Sequence, residues 1–260
     1  LCEALPPGGQ APDPDLPYQP VYDAVCGAKD KGTGVLPGTF TLLRNYLAWY
    51  HLSGKLQDET PWIGIIATNY DINNDDKAMQ EALLRSLEAG RYNVIPVYGD
   101  SDRKTAVEQF FMQYGKSKID LLITASVGFN FIYGNSDAGI DLFKKLNVPV
   151  MAPVYSSAGL DDWQQNPAGI GGEVYWSVAY PELDGRIEPV FMGGGKVVAV
   201  DPGTGTQIVK NFPLDDRVAR LAGRAIGWVN LRKKANADKK IAKTEPRYFF
   251  ALASLFREKK

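Results

Sequence analysis

The chain has 260 residues, 45% of them hydrophobic, and its 29 lysines and arginines against 30 aspartates and glutamates leave a net charge of -1. A chain of this size buries a full core as one large or two modest domains, and its near-neutral balance provides no field to recruit nucleic acid or an anionic membrane. No run reaches the roughly 18 consecutive apolar residues of a spanning helix, and the longest late candidate, "YFFALASLF", is about half that.

The opening segment, "LCEALPPGGQAPDPDLPYQP", is rich in Pro and Gly without a sustained period, and it predicts an extended arm wrapping a larger body. Leu rather than Met stands first, so the sequence reads as a processed chain or a piece of a longer one, with any targeting peptide already absent. Both cysteines, Cys2 and Cys26, fall in this region without zinc-site spacing. They pair in an oxidising compartment or stay thiols in a reducing one. A helical pattern follows in "GTFTLLRNYLAWYHL", with Leu43, Tyr46, Leu47 and Tyr50 on one face. His51, the only histidine, lies at its end, where a cation suits a helix C-terminus.

From Trp62 short apolar runs alternate with amphipathic stretches. "WIGIIAT", "NVIPVYG", "IDLLITAS" and "VPVMAPV" predict strands, and residues 75–89, 104–114 and 137–146 predict helices. That βαβαβαβ order implies a parallel, doubly wound sheet of the flavodoxin-like type, because a parallel crossover needs a connection of helix length. Ligands in such folds collect beyond the carboxyl ends of the strands, which directs attention to the loops "NYDINNDD", "GDSD", "SVGFNFIYGN" and "YSSAGLDDW". None carries a G-x-G-x-x-G or a P-loop; the third has only Gly128 and Gly134 among aromatics, so no nucleotide fingerprint is present.

Beyond Trp163, "EVYWSVAY" and "IEPVFMG" predict strands, and "KVVAV" and "TQIVK" a hairpin around "DPGTG". Residues 215–234 predict a long amphipathic helix with Val218, Leu221, Ala222, Ala225 and Val229 on its apolar face, and the tail "EPRYFFALASLFREKK" a second apolar-faced helix. The expected organisation is an arm and helix over 1–60, a parallel α/β domain over 61–155, and a smaller strand, hairpin and helix region over 156–260.

Together, "NVIPVYG", "LNVPVMAPVYSS", "LDDW", "VAYPELDGRIEP" and "RVARLAGRAIGWVNLRKKANADKKIA" resemble the large subunits of tetrapyrrole metal chelatases. These are the CobN-type subunit of cobaltochelatase and the H subunit of magnesium chelatase, and the likeness runs from about Trp49 to Ala242. It implies a subunit that binds a tetrapyrrole substrate (porphyrin, haem or corrin precursor) and inserts a divalent metal, itself a substrate. ATP enters only through two ATPase-type partner subunits. The resemblance also implies a cytoplasmic location, or a periplasmic or membrane-associated one for a haem-uptake branch. Members are far longer, and this chain leaves the pattern at "KTEPRYFF", as a segment or truncated paralogue would. Where the family tends to place an Arg and often a His after the first strand, this sequence has "ATNYDINNDD" with no basic residue. That departure fits a CobN-like branch that removes iron from haem, or a non-catalytic tetrapyrrole-binding module. By fold alone, a generic flavodoxin-like binding domain is the remaining reading.

Metal exchange at a porphyrin swaps two pyrrole protons for the ion, so a nearby carboxylate is useful as base or transient ligand. The resemblance directs that role to Glu182 and Asp184, which alternation along an extended segment would place on one side together with Arg186 for a ring carboxylate. The alternative is that these acids cap a helix or pair with Arg186. A flat apolar ring also needs aromatic contacts. Phe129, Phe131 and Tyr133 after the third strand, and Tyr155 and Trp163 after the fourth, are the candidates, each also readable as core.

Overall fold

The computed structural model describes residues 21–22, 40, 42–68, 76–98, 103–125, 129–156, 159–167 and 169–240. The opening arm over 1–20, both cysteines, most of the first two predicted ligand loops and the tail helix lie outside these residues.

Chain order begins with β1 (Val21–Tyr22), α1 (Leu43–Leu52), β2 (Trp62–Ala67), α2 (Ala78–Ala89), β3 (Asn93–Tyr98) and α3 (Arg103–Phe110). It continues with β4 (Met112–Gln113), β5 (Lys116–Ser117), β6 (Leu121–Thr124), α4 (Ser136–Leu146), β7 (Val150–Met151), β8 (Val154–Ser156) and α5 (Leu160–Gln165). After a π-helical turn (Tyr175–Ala179) come α6 (Tyr180–Leu183), β9 (Phe191–Val200), β10 (Gln207–Pro213) and α7 (Asp215–Lys233).

The main sheet has the order β1-β3-β2-β6-β7, and every pairing in it is parallel. Apart from the short β1 at one edge, its order is the flavodoxin-like one expected from the βα alternation. The chain reverses direction of travel across the sheet between β2 and β6, which makes their carboxyl ends the switch point where such folds open a crevice. Both faces are covered, so the strands read as continuous apolar runs. Ile63, Ile65 and Ala67 of β2 point into a core with Leu83, Leu84 and Leu87 of α2 and Leu221, Ala225 and Val229 of α7. Ile66 points the other way, into a core with Tyr46 and Tyr50 of α1, Phe110 of α3 and Phe143 of α4. Alternation of period two along the strand divides its side chains between the two layers.

Helix α4 shows how local sequence sets its own limits. The Asn135 side chain accepts from the Ala138 N–H at 3.0 Å, and Asn147 closes the helix in the left-handed region at φ 51. The second sheet, β10-β9-β8, pairs β9 with β10 antiparallel and with β8 parallel.

Four sequence expectations are corrected. The helix expected over 104–114 ends at Phe110, because Tyr114 and Gly115, at φ 52 and 73, form the turn of the β4–β5 hairpin. The strand expected in "VPVMAPV" divides into β7 and β8, which belong to different sheets. "IEPVFMG" and "KVVAV" are not separate strands, since β9 runs unbroken from Phe191 to Val200. "EVYWSVAY" is helical rather than extended: a 3-10 turn over Gly171–Glu173 leads into the π turn and α6. A short apolar run fits either period, and Pro181 suits the first turn of a helix. Among the described residues no helix is long and apolar enough to cross a membrane.

Candidate functional site

The site grows from the loop after β6, beside the switch point. Arg186 is fully buried, and its guanidinium organises that loop. Its Nε donates to Asp184 Oδ1 at 2.8 Å, Nη2 donates to Asp184 Oδ2 at 3.3 Å, and Nη1 donates to Thr124 Oγ1 at 3.3 Å. Nη2 also donates to the Phe129 carbonyl. The Phe131 N–H donates to Asp184 Oδ2 at 2.7 Å, and Thr124 Oγ1 donates to the Met151 carbonyl at 3.1 Å. Three buried side chains, Thr124, Asp184 and Arg186, therefore tie the ends of β6 and β7, the 129–131 loop and the turn after α6 to one another. Burial pulls the Arg186 guanidinium below its ordinary value, and the Asp184 carboxylate works against that shift. Such a pair is tolerated in an interior only when its hydrogen bonds are made, as they are here.

Held in this way, Phe129 adopts φ 54, an uncommon conformation for a bulky residue. Its N–H donates to the Trp176 carbonyl at 2.9 Å. The availability of that carbonyl follows from the sequence. In the π turn the Tyr180 N–H bonds the Tyr175 carbonyl, five residues back. The corresponding partner of Trp176 is Pro181, which has no N–H. Phe129 supplies the missing donor, and the two segments lock together.

The result is an exposed aromatic patch. Phe129 stacks on Trp176 with ring centroids 6.2 Å apart and planes at 25°, meets Tyr133 edge-on at 6.3 Å, and lies tilted at 54° to Tyr180 at 6.0 Å. Phe129 is 47% exposed, Tyr133 82%, Tyr175 57% and Trp176 41%, so large apolar rings are presented to solvent where a protein normally hides them. Residues five apart in an α-helix point about 140° away from each other; the wider π turn instead brings the Tyr175 and Tyr180 rings to 4.9 Å and their hydroxyls to 3.2 Å. The hydrogen bond with Tyr175 holds the Tyr180 phenol above its ordinary value.

Of the aromatic residues expected at a ligand, Phe129 and Tyr133 are together in this patch. Phe131 is core, packed on Phe143 at 5.0 Å. Tyr155 is half-buried against the α2/α7 core. Trp163 stacks elsewhere, on Phe191 at 4.0 Å, with the Arg217 guanidinium 5.8 Å from its ring. Tyr175, Trp176 and Tyr180 were hidden from sequence reasoning because their segment alternates like a strand.

The acids of "YPELDGRIEP" separate into three environments. Asp184 is buried with Arg186, the pairing alternative left open by the sequence. Glu182 is exposed, on the wall of an open groove of about 580 Å³ shared with Lys144 and Arg232. The extended alternation that would align these two acids is absent, since Glu182 lies in α6 and Asp184 ends it. Two residues apart on a helix are about 200° apart, so Glu182 faces away from Tyr180 and the patch. Glu188 accepts from Arg224 Nη2 at 2.7 Å and Trp228 Nε1 at 2.8 Å, and the Arg224 contact holds its carboxyl below the ordinary range. Among the described residues no three His, Cys, Asp or Glu side chains converge as a metal site.

A family model described as CobN/Magnesium Chelatase matches residues 10–245. The magnesium-chelatase subunit ChlH of Oryza sativa subsp. indica is 29% identical over 222 residues, covering 80% of this chain and 15% of that protein. An aerobic cobaltochelatase subunit CobN from Sinorhizobium sp is 27% identical over 187 residues, covering 71% of this chain and 14% of that protein. Among solved structures, the catalytic subunit of cobaltochelatase from Mycobacterium tuberculosis aligns with a TM-score of 0.53 at 21% identity, over 83% of this chain and 18% of that one. The chain thus spans about 15% of the length of the curated relatives it matches.

Proposed function

The chain belongs to the CobN/magnesium chelatase family, and from that premise we propose that it is a segment of a chelatase large subunit whose aromatic patch binds a tetrapyrrole during metal insertion. The observation that carries this reading is the patch itself: Phe129, Tyr133, Tyr175 and Trp176, exposed beside a half-buried Tyr180 at the carboxyl end of β6, and backed by a buried ion pair. A tetrapyrrole offers a flat apolar face for those rings to stack on. Preorganisation by the Asp184–Arg186 pair removes part of the ordering cost of binding. In this reading Asp184 and Arg186 position the aromatic loop, and neither reaches a ring carboxylate or exchanges its protons. Cobalt or magnesium is the metal substrate of insertion, and ATP acts through partner subunits.

Removal of iron from haem is the second reading, favoured by the lack of any basic residue in "ATNYDINNDD" after β2. A non-catalytic tetrapyrrole-binding module makes the same binding prediction and differs in turnover by the complete subunit. Binding is tested by titrating the chain with protoporphyrin. Saturable displacement of the Soret band and quenching of tryptophan fluorescence are expected. Phe129→Ala and Trp176→Ala should each weaken binding by about 0.5–1.5 kcal/mol, roughly 2- to 13-fold. Folded protein that gives no saturable change with protoporphyrin overturns the reading.

A further inference from the structure

The aromatic patch contains one feature that stacking does not use: two phenol oxygens 3.2 Å apart, brought together by a π turn. We propose that this tyrosine pair is an axial ligand site for ferric haem, with Tyr175 binding the iron and Tyr180 donating a hydrogen bond to the coordinated oxygen. The inference rests on the tetrapyrrole reading of the patch and takes it in its second form, in which the ring arrives carrying iron.

Three observations carry it. A metallated porphyrin brings four nitrogen ligands of its own, so the protein needs to supply only one axial donor, and a phenolate is an established axial ligand to haem iron. That removes any requirement for a converging group of carboxylates, histidines or cysteines. The chain's only histidine, His51, belongs to α1, so the axial donors that the patch rings themselves provide are phenols. Lastly, the pair has an asymmetry suited to the task. Tyr175 is the more exposed of the two, which lets it reach an iron above the stacked rings. Tyr180 lies against Phe129 and Tyr175, where it can keep its proton and donate.

The step is a ligand exchange without redox change. The Tyr175 oxygen forms a bond to ferric iron, a coordinated water leaves, and the phenol proton passes to solvent. Tyr180 keeps its own proton in the hydrogen bond. A π turn is a costly irregularity in a helix and is found disproportionately at functional sites; here its consequence is the meeting of these two oxygens.

Haemin and free-base protoporphyrin, titrated in parallel into the 260-residue chain and its Tyr175→Phe and Tyr180→Phe variants, separate this proposal from the one beneath it. Wild type should give a ferric-phenolate charge-transfer band with haemin, and Tyr175→Phe should lose it with at least about tenfold weaker haemin affinity. Free-base protoporphyrin has no iron, and since Phe keeps the stacking ring, each variant should weaken its binding by no more than about twofold, far short of the loss that Tyr175→Phe causes with haemin. Tyr180→Phe should retain the band at a shifted position. An identical haemin spectrum in wild type and Tyr175→Phe overturns the iron assignment while leaving ring binding intact, and loss of the band in Tyr180→Phe alone overturns the roles given to the two tyrosines. If free-base protoporphyrin fails to bind wild type, the tetrapyrrole reading itself falls.

Discussion

Replacing Asp184 with Asn removes one charge from the buried pair and leaves most of its shape. In the native chain the carboxylate accepts from Arg186 Nε and Nη2 and from the Phe131 N–H, and both side chains of the pair are fully shielded from water. The amide oxygen of Asn can still accept from Phe131, but the guanidinium is left without its countercharge. Breaking a buried pair from one side costs about 3–5 kcal/mol, and the retained acceptor places this substitution near 3. For a chain of this size, about 1 kcal/mol corresponds to roughly 2–4 °C in midpoint, so a fall of about 6–12 °C is expected. Urea denaturation should show a lower midpoint at unchanged slope, the signature of a change in stability alone. Since the same carboxylate anchors the loop bearing Phe129, protoporphyrin affinity should fall as well, even at temperatures where the variant remains folded. A variant with wild-type midpoint and wild-type porphyrin affinity would refute the claim that this pair holds the patch in place.

Three further substitutions probe other parts of the account. Glu182→Gln should leave stability within about 0.5 kcal/mol and porphyrin affinity unchanged, because the exposed carboxylate faces a separate groove; weakened porphyrin binding would place it at the ring. Glu188 has its carboxyl held below an ordinary value of 4.5 by Arg224, so the pair's stabilisation is present above that pH and is lost as pH falls through the lower folded value. The urea midpoints of wild type and Glu188→Gln should therefore differ at neutral pH and converge in acid, and a gap independent of pH would contradict the pairing. In the central strand β2, Gly64→Ala would put a Cβ 2.7 Å from Ile119 Cδ1 and 2.9 Å from Phe111 Cε1. Overpacking of this kind costs about 1–3 kcal/mol, measurable by the same denaturation; a neutral variant would show that these side chains yield freely.

The parallel sheet was legible because each strand, buried on both faces, is an unbroken apolar run separated from the next by a helix-length amphipathic stretch. The candidate loop was legible too, since Phe129 and Tyr133 follow the third of those runs. What the sequence withheld depended on contacts distant along the chain. Nothing local distinguishes Phe131, which packs on Phe143, from Phe129, which is exposed. That distinction comes from Asp184 and Arg186, over fifty residues later. "EVYWSVAY" alternates well enough for a strand, and its helical course is signalled only by Pro181, whose missing N–H matters through the Trp176 carbonyl and Phe129. Misreading that segment as extended carried a second error with it, because aligning Glu182 with Asp184 required a strand there.

The most direct test is a structure of the chain bound to protoporphyrin. Ring density should lie stacked on Phe129 and Trp176 at the carboxyl end of β6, with the Asp184–Arg186 pair unbroken beneath them. A ring seated instead against Trp163 and Phe191, or in the groove beside Glu182, would contradict it.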